Sequence, residues 1–481
     1  MFTNTSYVDT QTAEQEARKI VELQKRNASI VKKTTAKERI AKLKRLKKVI
    51  LDNRQAIHEA VYKDFRKPSA EADLGEIFGV LSSISHVCKH LRSWMQPKRV
   101  GTPLNLIGTS SKIVYEPKGV SLIISPWNYP FQLAIDPLVY AIAAGCTAVI
   151  KPSEMTPHTS ALIKKLISQV FEPQEVAVLE GDATIAQALL KQPFDHIFFT
   201  GSPTLGKIVM RAAAEHLTSV TLELGGKSPV IIDEKANLQD AAEKIAWGKT
   251  FNCGQTCIAP DYALVHQSLE KPFIEALNQA IQKYYNPKNQ GIEKSPDYPR
   301  IVNQRHFTRI TQLLQDAFEK GAIATYGGTT IAEENYVEPT ILTNVNNDML
   351  VMQEEIFGPI LPIIPYKNLG DALQFINQKP KPLALYAFSQ NHHTLEYILQ
   401  NTTAGGTTFN DVFLHVGHPS LPFGGVNNSG IGKTHGYYGF IAFSNERAVL
   451  KQHWVKSVFK AFYPPYTAKK LKNINLFSRY V

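Results

Sequence analysis

The chain of 481 residues carries a formal net charge of +11, with 43% hydrophobic and 20% charged residues, and this composition excludes a collagen-like or disordered protein. Its length exceeds what a single hydrophobic core usually supports, so we expect two or three domains. Four cysteines are too few to cross-link a chain of this size, so we expect a reduced, cytoplasmic compartment.

The first hundred residues are predicted to be mainly helical. Residues 10–65 combine strong helix formers with almost no Gly or Pro, and residues 69–91 continue the pattern before a break at residues 97–103. Apolar residues recur every three or four positions at Ile40, Leu43, Leu46 and Ile50. This stripe favours a core-packed helix with a solvated basic face over a site for nucleic acid or an anionic membrane.

Strands and helices alternate from residue 111 onward. The predicted strands are 111–115, 119–124, 147–150, 176–179, 196–200, 220–223, 229–232 and 263–266. The predicted helices are 136–145, with Pro137 in its first turn, 159–170, 204–214, 238–251 and 271–283. The alternation predicts an α/β protein with βαβ units, parallel sheets and a second α/β domain that begins near residue 229.

No segment is predicted to span a membrane. The most apolar region, residues 119–150, is interrupted by Pro and polar residues, and residues 455–481 are basic and contain prolines. A weak peripheral contact with a membrane remains open for this tail, through its lysines and the aromatic residues Phe459, Phe462, Tyr463 and Phe477.

Three polar segments follow predicted strands and mark a candidate nucleotide site. Residues 125–130, 151–154 and 201–206 would meet at the carboxyl edge of one parallel sheet, where ligands bind. The last segment is a Gly-led turn into a helix, which can present N–H groups to a pyrophosphate or simply pack a helix closely. Lys151 would hold ribose hydroxyls. Glu154 would accept from a 2′-OH and repel a 2′-phosphate, which favours NAD, although NADP stays open.

A thiol and a carboxylate suggest covalent catalysis. Cys257 lies in a segment rich in Gly, Asn and Gln, and Glu223 precedes a Gly-Gly bend. A thiol can attack an electrophilic carbon, and a carboxylate can activate water. We expect the turn at residues 254–257 to open a helical segment that supplies N–H donors or positive potential to the thiol. Asn128 would then hold an oxyanion together with the backbone N–H of Cys257.

Each of these residues also has a purely structural interpretation. Cys257 would be a buried thiol, Glu223 a salt-bridged residue and Asn128 a turn former. Two further segments, residues 354–359 and 422–432, read as loops beside a site. His418 and His435 are predicted to be structural, and no Cys or His cluster completes a metal site.

Taken together, seven segments in order resemble the aldehyde dehydrogenase superfamily over residues 35–450. They are Pro126–Asn128, Lys151–Glu154, Phe199–Ser202, Glu223–Pro229, Gly254–Cys257, Glu355–Pro359 and Pro422–Gly432. The segments Asn252–Asp261 and Phe462–Tyr466 look like the class 3, fatty-aldehyde branch.

The resemblance implies roles for individual residues. Cys257 would be the nucleophile, Asn128 an oxyanion donor and Glu223 the general base, with Glu355 as a second candidate for water activation. The adenosine ribose would be held by Lys151 and Glu154, and the pyrophosphate would lie near Gly201, Ser202 and Gly206. The nicotinamide end would be positioned by Glu355 and Phe357. Trp127 is the remaining residue expected to bind the cofactor.

The resemblance also implies a domain organisation and a homodimer. Residues 1–97 and 121–225 would form a Rossmann-type NAD(P)-binding domain, and residues 226–407 would form the catalytic domain. Residues 98–120 and 408–481 would form a small β bridging flap and a C-terminal tail.

The implied activity is the NAD(P)-dependent oxidation of an aldehyde to a carboxylic acid. Cys257 would form a thiohemiacetal, hydride would pass to the nicotinamide, and water would release the resulting thioester. By resemblance, the substrate would be a medium- or long-chain aliphatic or an aromatic aldehyde. Two alternatives stay open: transfer of the acyl group to coenzyme A, and a non-catalytic protein that keeps the fold.

Overall fold

The computed structural model describes residues 9–453, 460 and 462–478, with the side chain of Phe477 excepted. The helices are α1 Thr10–Val31, α2 Ala36–Asp52, α3 Arg54–Phe65, α4 Ser69–Ala72, α5 Gly79–Trp94, α6 Gln132–Ala144, α7 Pro157–Ser168, α8 Ala183–Leu190, α9 Pro203–Ala214, α10 Leu238–Thr250, α11 Glu270–Tyr285, α12 Gln304–Glu319, α13 Leu350–Gln353, α14 Leu369–Asn377, α15 His392–Asn401, α16 Leu414–Gly417, α17 Gly436–Ala442 and α18 Ala468–Phe477. A π-helical segment occurs at Asp73–Phe78, and 3₁₀ segments occur at Leu104–Leu106, Phe251–Gly254, Gln267–Leu269, Ile292–Lys294 and Ala332–Glu334.

The strands of the described residues form four sheets. They are β1 Lys98–Val100, β2 Thr109–Pro117, β3 Val120–Ile124, β4 Thr147–Lys151, β5 Val176–Val178, β6 His196–Thr200, β7 Ser219–Glu223, β8 Pro229–Ile232, β9 Tyr262–His266, β10 Ile323–Tyr326, β11 Thr330–Ile331, β12 Tyr336–Val337, β13 Thr340–Thr343, β14 Ile360–Tyr366, β15 Ala384–Phe388, β16 Gly406–Phe409, β17 Gly430–Ile431 and β18 Ser444–Gln452. The β11 and β12 pair stands alone, and the other three sheets form the framework.

The first large sheet has the strand order β17-β7-β6-β3-β4-β5. Its strands β3 to β7 run parallel, and the short β17 pairs antiparallel with β7. The central strands β3, β4 and β6 are buried along their whole length, as expected for a parallel sheet covered by helices on both faces. Their carboxyl ends carry the predicted nucleotide-binding segments to one edge.

The second large sheet has the strand order β10-β13-β14-β9-β8-β15-β16, with only β10 antiparallel. It begins at Pro229, where the sequence predicts a second α/β unit. Its buried residues form one hydrophobic cluster with α10, α11 and α12. The third sheet joins β2 to β18 over nine residue pairs and adds β1 at one edge, so it links residues 98–117 to the C-terminal part of the chain.

The predicted apolar stripe of the second helix is confirmed. Leu43, Leu46 and Ile50 of α2 are buried and Ile40 is half-buried, and they pack with α5 and α6. The basic face is not wholly solvated, however. Arg39 is buried and donates to the main-chain oxygen of Ala143 at 2.9 Å, so this arginine anchors α2 to α6.

The prediction for the helix around Pro137 is wrong at its start. Helix α6 begins at Gln132, so Pro137 lies inside the helix, where it removes one backbone hydrogen bond. The start is fixed by a distant residue: Oε2 of Glu76 accepts from the backbone N–H groups of Phe131 at 3.1 Å and Gln132 at 3.0 Å. A carboxylate at a helix N-terminus satisfies N–H groups that have no partner within the helix.

The structure describes only part of the C-terminal tail. Helix α18 is rich in lysine, whereas Phe459 lies outside the described residues, and so does the side chain of Phe477. The predicted peripheral membrane contact therefore stays a prediction. Among the described helices, none is long and apolar enough to cross a bilayer.

Candidate active site

The loop that carries Cys257 is a strained turn. The backbone φ angles of Asn252, Cys253 and Gly254 are 54°, 55° and 71°, in the left-handed region. A Cβ atom on Gly254 would approach the main-chain oxygen of Gly358 to 2.3 Å, so only glycine fits there. Cys257 follows in a turn closed by the Ala259 N–H donating to the Thr256 oxygen at 2.9 Å.

The predicted helical segment at the thiol is wrong. The short 3₁₀ segment Phe251–Gly254 precedes Cys257 instead of following it, and the chain passes from the turn into β9. The turn still supplies N–H groups, because the backbone N–H groups of Cys257 and Ile258 lower the pKa of the thiol. In the described segment that carries this thiol, residues 251–261, no regular α-helix occurs.

Asn128 is held against the Cys257 loop. Its side-chain amide donates to the main-chain oxygen of Gln255 at 3.0 Å. Asn252 donates from its own amide to the main-chain oxygens of Asn128 at 2.8 Å and Gln255 at 3.0 Å. Next to it, the hydroxyl groups of Tyr129 and Thr256 are 2.6 Å apart. The structure thus brings Asn128 to the segment that carries the thiol.

A buried ion pair that sequence reasoning missed lies behind this loop. Lys67 and Glu76 form a salt bridge with both side chains fully buried. The Nζ atom of Lys67 also donates to the main-chain oxygen of Asn128 at 3.2 Å. The same Glu76 caps α6, so one carboxylate positions both the start of the helix and the lysine that holds Asn128.

Glu223 ends strand β7 and is buried. It pairs in register with Thr200 on one side and Gly430 on the other. Among the described residues, neither of its carboxylate oxygens has a hydrogen-bond partner. Burial raises the pKa of Glu223 well above its ordinary value, and the charge of Lys433 opposes that rise only in part. Burial of an unpaired carboxyl group costs free energy. Such groups are common at sites that bind or transfer a proton.

Glu355 reaches the same motif from the other side. A Cβ atom on Gly225 would lie 2.2 Å from Oε2 of Glu355, so the carboxylate packs directly on the Gly-Gly bend that follows Glu223. Burial, reinforced by the charge of Asp261, raises the pKa of Glu355 to about 8. Two carboxyl groups with raised pKa values therefore flank this bend.

The electrostatics at Cys257 differ from the predicted positive potential. Burial, together with the charges of Glu355 and Glu223, raises the pKa of the Cys257 thiol to about 12. The thiol is therefore protonated at neutral pH in this state. The two carboxylates act on Cys257, which links all three side chains in one site.

The candidate ribose site lies at the end of β4. Lys151 is buried, and its Nζ donates to Oε2 of the half-exposed Glu154 at 2.6 Å. Ser202 caps α9 by accepting from the N–H of Leu205 at 3.3 Å, and the start of that helix is exposed.

Two predicted pyrophosphate glycines have different surroundings. Gly201 is half-buried, and its N–H donates to the main-chain oxygen of Glu223 at 3.0 Å. Gly206 is buried, and a Cβ atom there would approach Leu224 to 2.7 Å. That contact supports the helix-packing interpretation for Gly206.

Trp127 and Phe357 form an aromatic pair at the other end of the candidate cofactor site. Their ring centroids are 5.4 Å apart in an edge-on arrangement, and Phe357 has a φ angle of 49°. His306, which sequence reasoning missed, lies 4.6 Å from the Trp127 ring. Its position in α12 gives no signal of this contact, because more than 170 residues separate the two along the chain.

A cavity of about 370 Å³ opens at Cys257 and Thr256. Its walls are largely aromatic and aliphatic, and Trp247, Phe251 and Phe413 form part of them through mutual ring contacts. His435 also lines this cavity and stacks on Phe423, with ring centroids 4.9 Å apart. The thiol is thus accessible from an enclosed, mainly apolar space.

A family model described as the aldehyde dehydrogenase family matches residues 3–449. The chain belongs to the aldehyde dehydrogenase family. It is 47% identical to 4,4′-diaponeurosporen-aldehyde dehydrogenase of Staphylococcus aureus over 428 residues, which cover 89% of the chain and 92% of the relative. It is 43% identical to aldehyde dehydrogenase family 3 member A2 of Macaca fascicularis, covering 90% and 88% respectively.

Solved aldehyde dehydrogenase structures share the fold. The substrate-bound state of Staphylococcus aureus AldH superposes with a TM-score of 0.91 at 44% identity, covering 96% of the chain and 99% of that structure. Three further similar structures, 26% to 28% identical, are complexes with NAD⁺. The predicted family, class 3 branch and α/β fold are confirmed, and so is the predicted enzyme class, an NAD(P)-dependent aldehyde dehydrogenase.

Proposed function

We propose that this aldehyde dehydrogenase oxidises medium- or long-chain aliphatic or aromatic aldehydes to carboxylic acids through Cys257. The single observation that carries the proposal is the position of the thiol. Cys257 lines a mainly apolar cavity, and burial and the charges of Glu355 and Glu223 raise the pKa of its thiol. An apolar cavity favours aldehydes with apolar bodies, because burial of apolar surface drives their binding.

In the proposed reaction the Cys257 thiol loses its proton to a carboxylate and adds to the aldehyde carbon. The Asn128 amide and the backbone N–H of Cys257 stabilise the resulting oxyanion, and loss of one such donor typically costs about 3–4 kcal/mol. Removal of a hydride from this adduct, the chemistry that bound NAD would supply, would leave an acyl group on Cys257 as a thioester. Glu223 would then activate water, which releases the carboxylic acid and restores the thiol. Its two unpartnered oxygens and raised pKa support this role. Glu355 is the second candidate for that role.

The chain's residues fit an NAD cofactor. Lys151 and Glu154 would hold the adenosine ribose, and Gly201 and Ser202 would face the pyrophosphate at the start of α9. Trp127, Phe357 and Glu355 would position the nicotinamide end, with Gly206 allowing α9 to approach the sheet. When bound, NAD supplies the hydride acceptor. The carboxylate of Glu154 disfavours a 2′-phosphate, which favours NAD over NADP.

The proposal extends to the organisation of the protein. The first large sheet with its helices would be the cofactor domain, the second the catalytic domain, and the β1-β2-β18 sheet the bridging element. We also propose a cytoplasmic homodimer, supported by the four free cysteines and the family resemblance. Sedimentation equilibrium would test the dimer, and a monomer at micromolar concentration would contradict it.

Transfer of the acyl group to coenzyme A is the second candidate. The buried, unpartnered carboxylate of Glu223 favours water instead, because it is available to take a proton from it. Assays with and without coenzyme A would separate the two, since a thioester product would replace the free acid.

The decisive experiment replaces the nucleophile. Cys257→Ala should abolish NADH formation with every aldehyde while NAD binding persists, and Cys146→Ala is the matched control because that thiol is buried away from the cavity. Mass spectrometry of the wild-type enzyme stopped during turnover should show the acyl mass on the peptide with Cys257. Undiminished activity of Cys257→Ala would contradict the proposal.

A further inference from the structure

A buried carboxyl group lies in the wall of the Cys257 cavity. Asp136 belongs to α6, one turn or about 6 Å from the first residue of the helix, and its exposed fraction is 4%. Cys257 and Asp136 line the same cavity. In the described part of the chain, the Oδ1 atom of Asp136 has no hydrogen-bond partner. The reaction proposed above gives this group no role.

The other polar groups around Asp136 are tied to one another. The Gly436 N–H donates to the Tyr140 hydroxyl at 3.1 Å, and the Tyr140 hydroxyl donates to Oγ of Ser83 at 3.1 Å. Ser83 in turn hydrogen-bonds the Asp136 carboxyl group. This chain of bonds fixes the carboxyl group and satisfies only part of it.

Among the residues that the structure describes, no cation compensates Asp136. Nε2 of His435 lies 3.8 Å from Oδ2 of Asp136, and burial lowers the pKa of His435 to about 4, so the ring is neutral at neutral pH. Burial raises the pKa of Asp136 to about 7. Buried polar groups are nearly always hydrogen-bonded. Because Asp136 lines a cavity and one of its oxygens has no partner among the described residues, we expect a ligand in that cavity to supply the hydrogen bond.

The rest of the cavity restricts what that partner can be. Leu74, Phe78, Leu133 and Val416 line it together with the aromatic residues near the thiol, so the body of the ligand must be apolar. A carboxylate of the ligand placed beside Asp136 would be repelled by it. A hydroxyl group can donate to the ionised acid and can also pair with the protonated acid, so it suits a carboxyl group that titrates near neutrality.

We propose that Asp136 recognises a hydroxyl group at the end of the substrate opposite the aldehyde. The preferred substrates are then apolar aldehydes, aliphatic or aromatic, that carry a distal hydroxyl group. The inference rests on the proposed function, because it assumes that the aldehyde carbon lies at Cys257. It adds a determinant of specificity on α6, away from the reacting atoms.

The first test uses the wild-type enzyme and matched aldehyde pairs. Linear aldehydes of increasing length, each ending in either a methyl or a hydroxyl group, are compared by kcat/KM, together with the para-methyl and para-hydroxy benzaldehydes. At one length the hydroxyl member should be favoured on the order of tenfold, because a hydrogen bond to a charged group contributes about that much. A preference for the methyl member at every length and in the aromatic pair would overturn the proposal.

The second test assigns the preference to Asp136. Asp136→Ala should bring the ratio of the favoured pair to about one, and Asp136→Asn should keep part of it, because an amide oxygen still accepts. Gln132→Met is the matched control, since Gln132 lines the same cavity one turn earlier on α6. A preference that survives Asp136→Ala, or that only Gln132→Met removes, contradicts the assignment. Stronger turnover of an ω-amino aldehyde would contradict the choice of a hydroxyl group.

A binding measurement separates this inference from the catalytic proposal. The same pairs are titrated into Cys257→Ala protein, and quenching of Trp247 fluorescence in the cavity wall reports binding. Tighter binding of the hydroxyl member, lost in Cys257→Ala/Asp136→Ala, supports the subsite even if turnover fails. Equal binding of both members overturns it, whereas failure of the proposed function would appear as absent oxidation of every aldehyde.

Discussion

The ammonium group of Lys67 and the carboxylate of Glu76 pair with no solvent exposure at all, directly behind the loop that carries Asn128. Withdrawing two charges from water is expensive, so such a pair contributes little net stability when it is intact. Loss of one partner leaves the other charge buried and alone, which is strongly destabilising. The pair therefore ties the position of Asn128 to the integrity of the fold.

Lys67→Met should lower the free energy of unfolding by about 3–5 kcal/mol, because Glu76 would remain buried and unpaired. The kcat should fall as well, since Asn128 loses the contact with Nζ of Lys67. Urea denaturation and steady-state kinetics would measure both effects. Lys63→Met, at an exposed position of α3, is the control and should change neither. Wild-type stability of Lys67→Met would contradict the prediction.

Glu355→Gln should lower the pKa of the Cys257 thiol. In the wild type, burial and the charges of Glu355 and Glu223 raise that pKa to about 12, so the thiolate fraction and the rate of alkylation by iodoacetamide should climb steadily with pH above neutrality. Removal of one negative charge should move the alkylation profile to lower pH. Stopped-time alkylation followed by peptide mass measurement gives the rate at Cys257.

The control for this experiment is the neighbouring residue. Glu354 is exposed, and Glu354→Gln should leave the alkylation profile unchanged. Equal shifts in both variants would indicate that overall charge, and not the packing of Glu355 on Gly225, sets the thiol pKa.

Glu154→Gln should raise the use of NADP relative to NAD. The Glu154 carboxylate, paired with Lys151, would repel a 2′-phosphate, and the amide would not. We expect the ratio of kcat/KM for NADP over NAD to rise on the order of tenfold, which corresponds to about 1.4 kcal/mol. Glu172→Gln, a neutralisation of an exposed residue just before β5, should leave the ratio unchanged. An unchanged ratio in Glu154→Gln would mean that Glu154 does not contact the ribose.

Glu71→Gln should stabilise the protein at alkaline pH. Burial raises the pKa of Glu71 to about 8, while its ordinary value is 4.5. The folded state therefore binds the carboxyl proton of Glu71 more tightly than the unfolded state does. The stability that this proton contributes is present below pH 4.5 and is lost as the pH rises from there through about 8. The amide of Gln carries no charge, and its oxygen can still accept from the Asn252 N–H, a bond of 2.9 Å in the wild type.

Urea denaturation at pH 5 and pH 9 checks this prediction. Glu71→Gln and the wild type should differ little at the lower pH, and the variant should be more stable at the higher pH. Glu59→Gln, at an exposed position of α3, is the control and should show no such difference. A variant less stable than the wild type at pH 9 would contradict the prediction, because it would show that the folded state favours the ionised carboxylate and that the pKa of Glu71 is not raised.

Much of the sheet framework could be predicted from local patterns. Strand β8 has the predicted bounds, and β6 does too, because buried parallel strands are short apolar runs bounded by Gly, Pro or polar residues. The start of α9 was also predictable, since Ser202 followed by Pro203 is a typical cap and first turn. These features depend on neighbouring residues alone.

The features that sequence reasoning missed depend on distant residues. Helix α6 begins early because Glu76, more than fifty positions away, caps it. Burial, with the charges of carboxylates from two other segments, holds the thiol of Cys257 in its protonated state, and no local motif reports those charges. The helix expected after Cys257 is replaced by a turn, and Gly254 just before it lies against the main chain at Gly358. Side-chain contacts across such separations appear only in three dimensions.

The pairing of β17 with β7 means that protein synthesis completes the site late. Gly430 lies opposite Glu223, so the strand that ends in the proposed base keeps an open edge until more than two hundred further residues have left the ribosome. Open strand edges attract other chains. A nascent chain stalled before Gly430 should therefore be inactive and prone to aggregate, even though most of both large sheets has already been made.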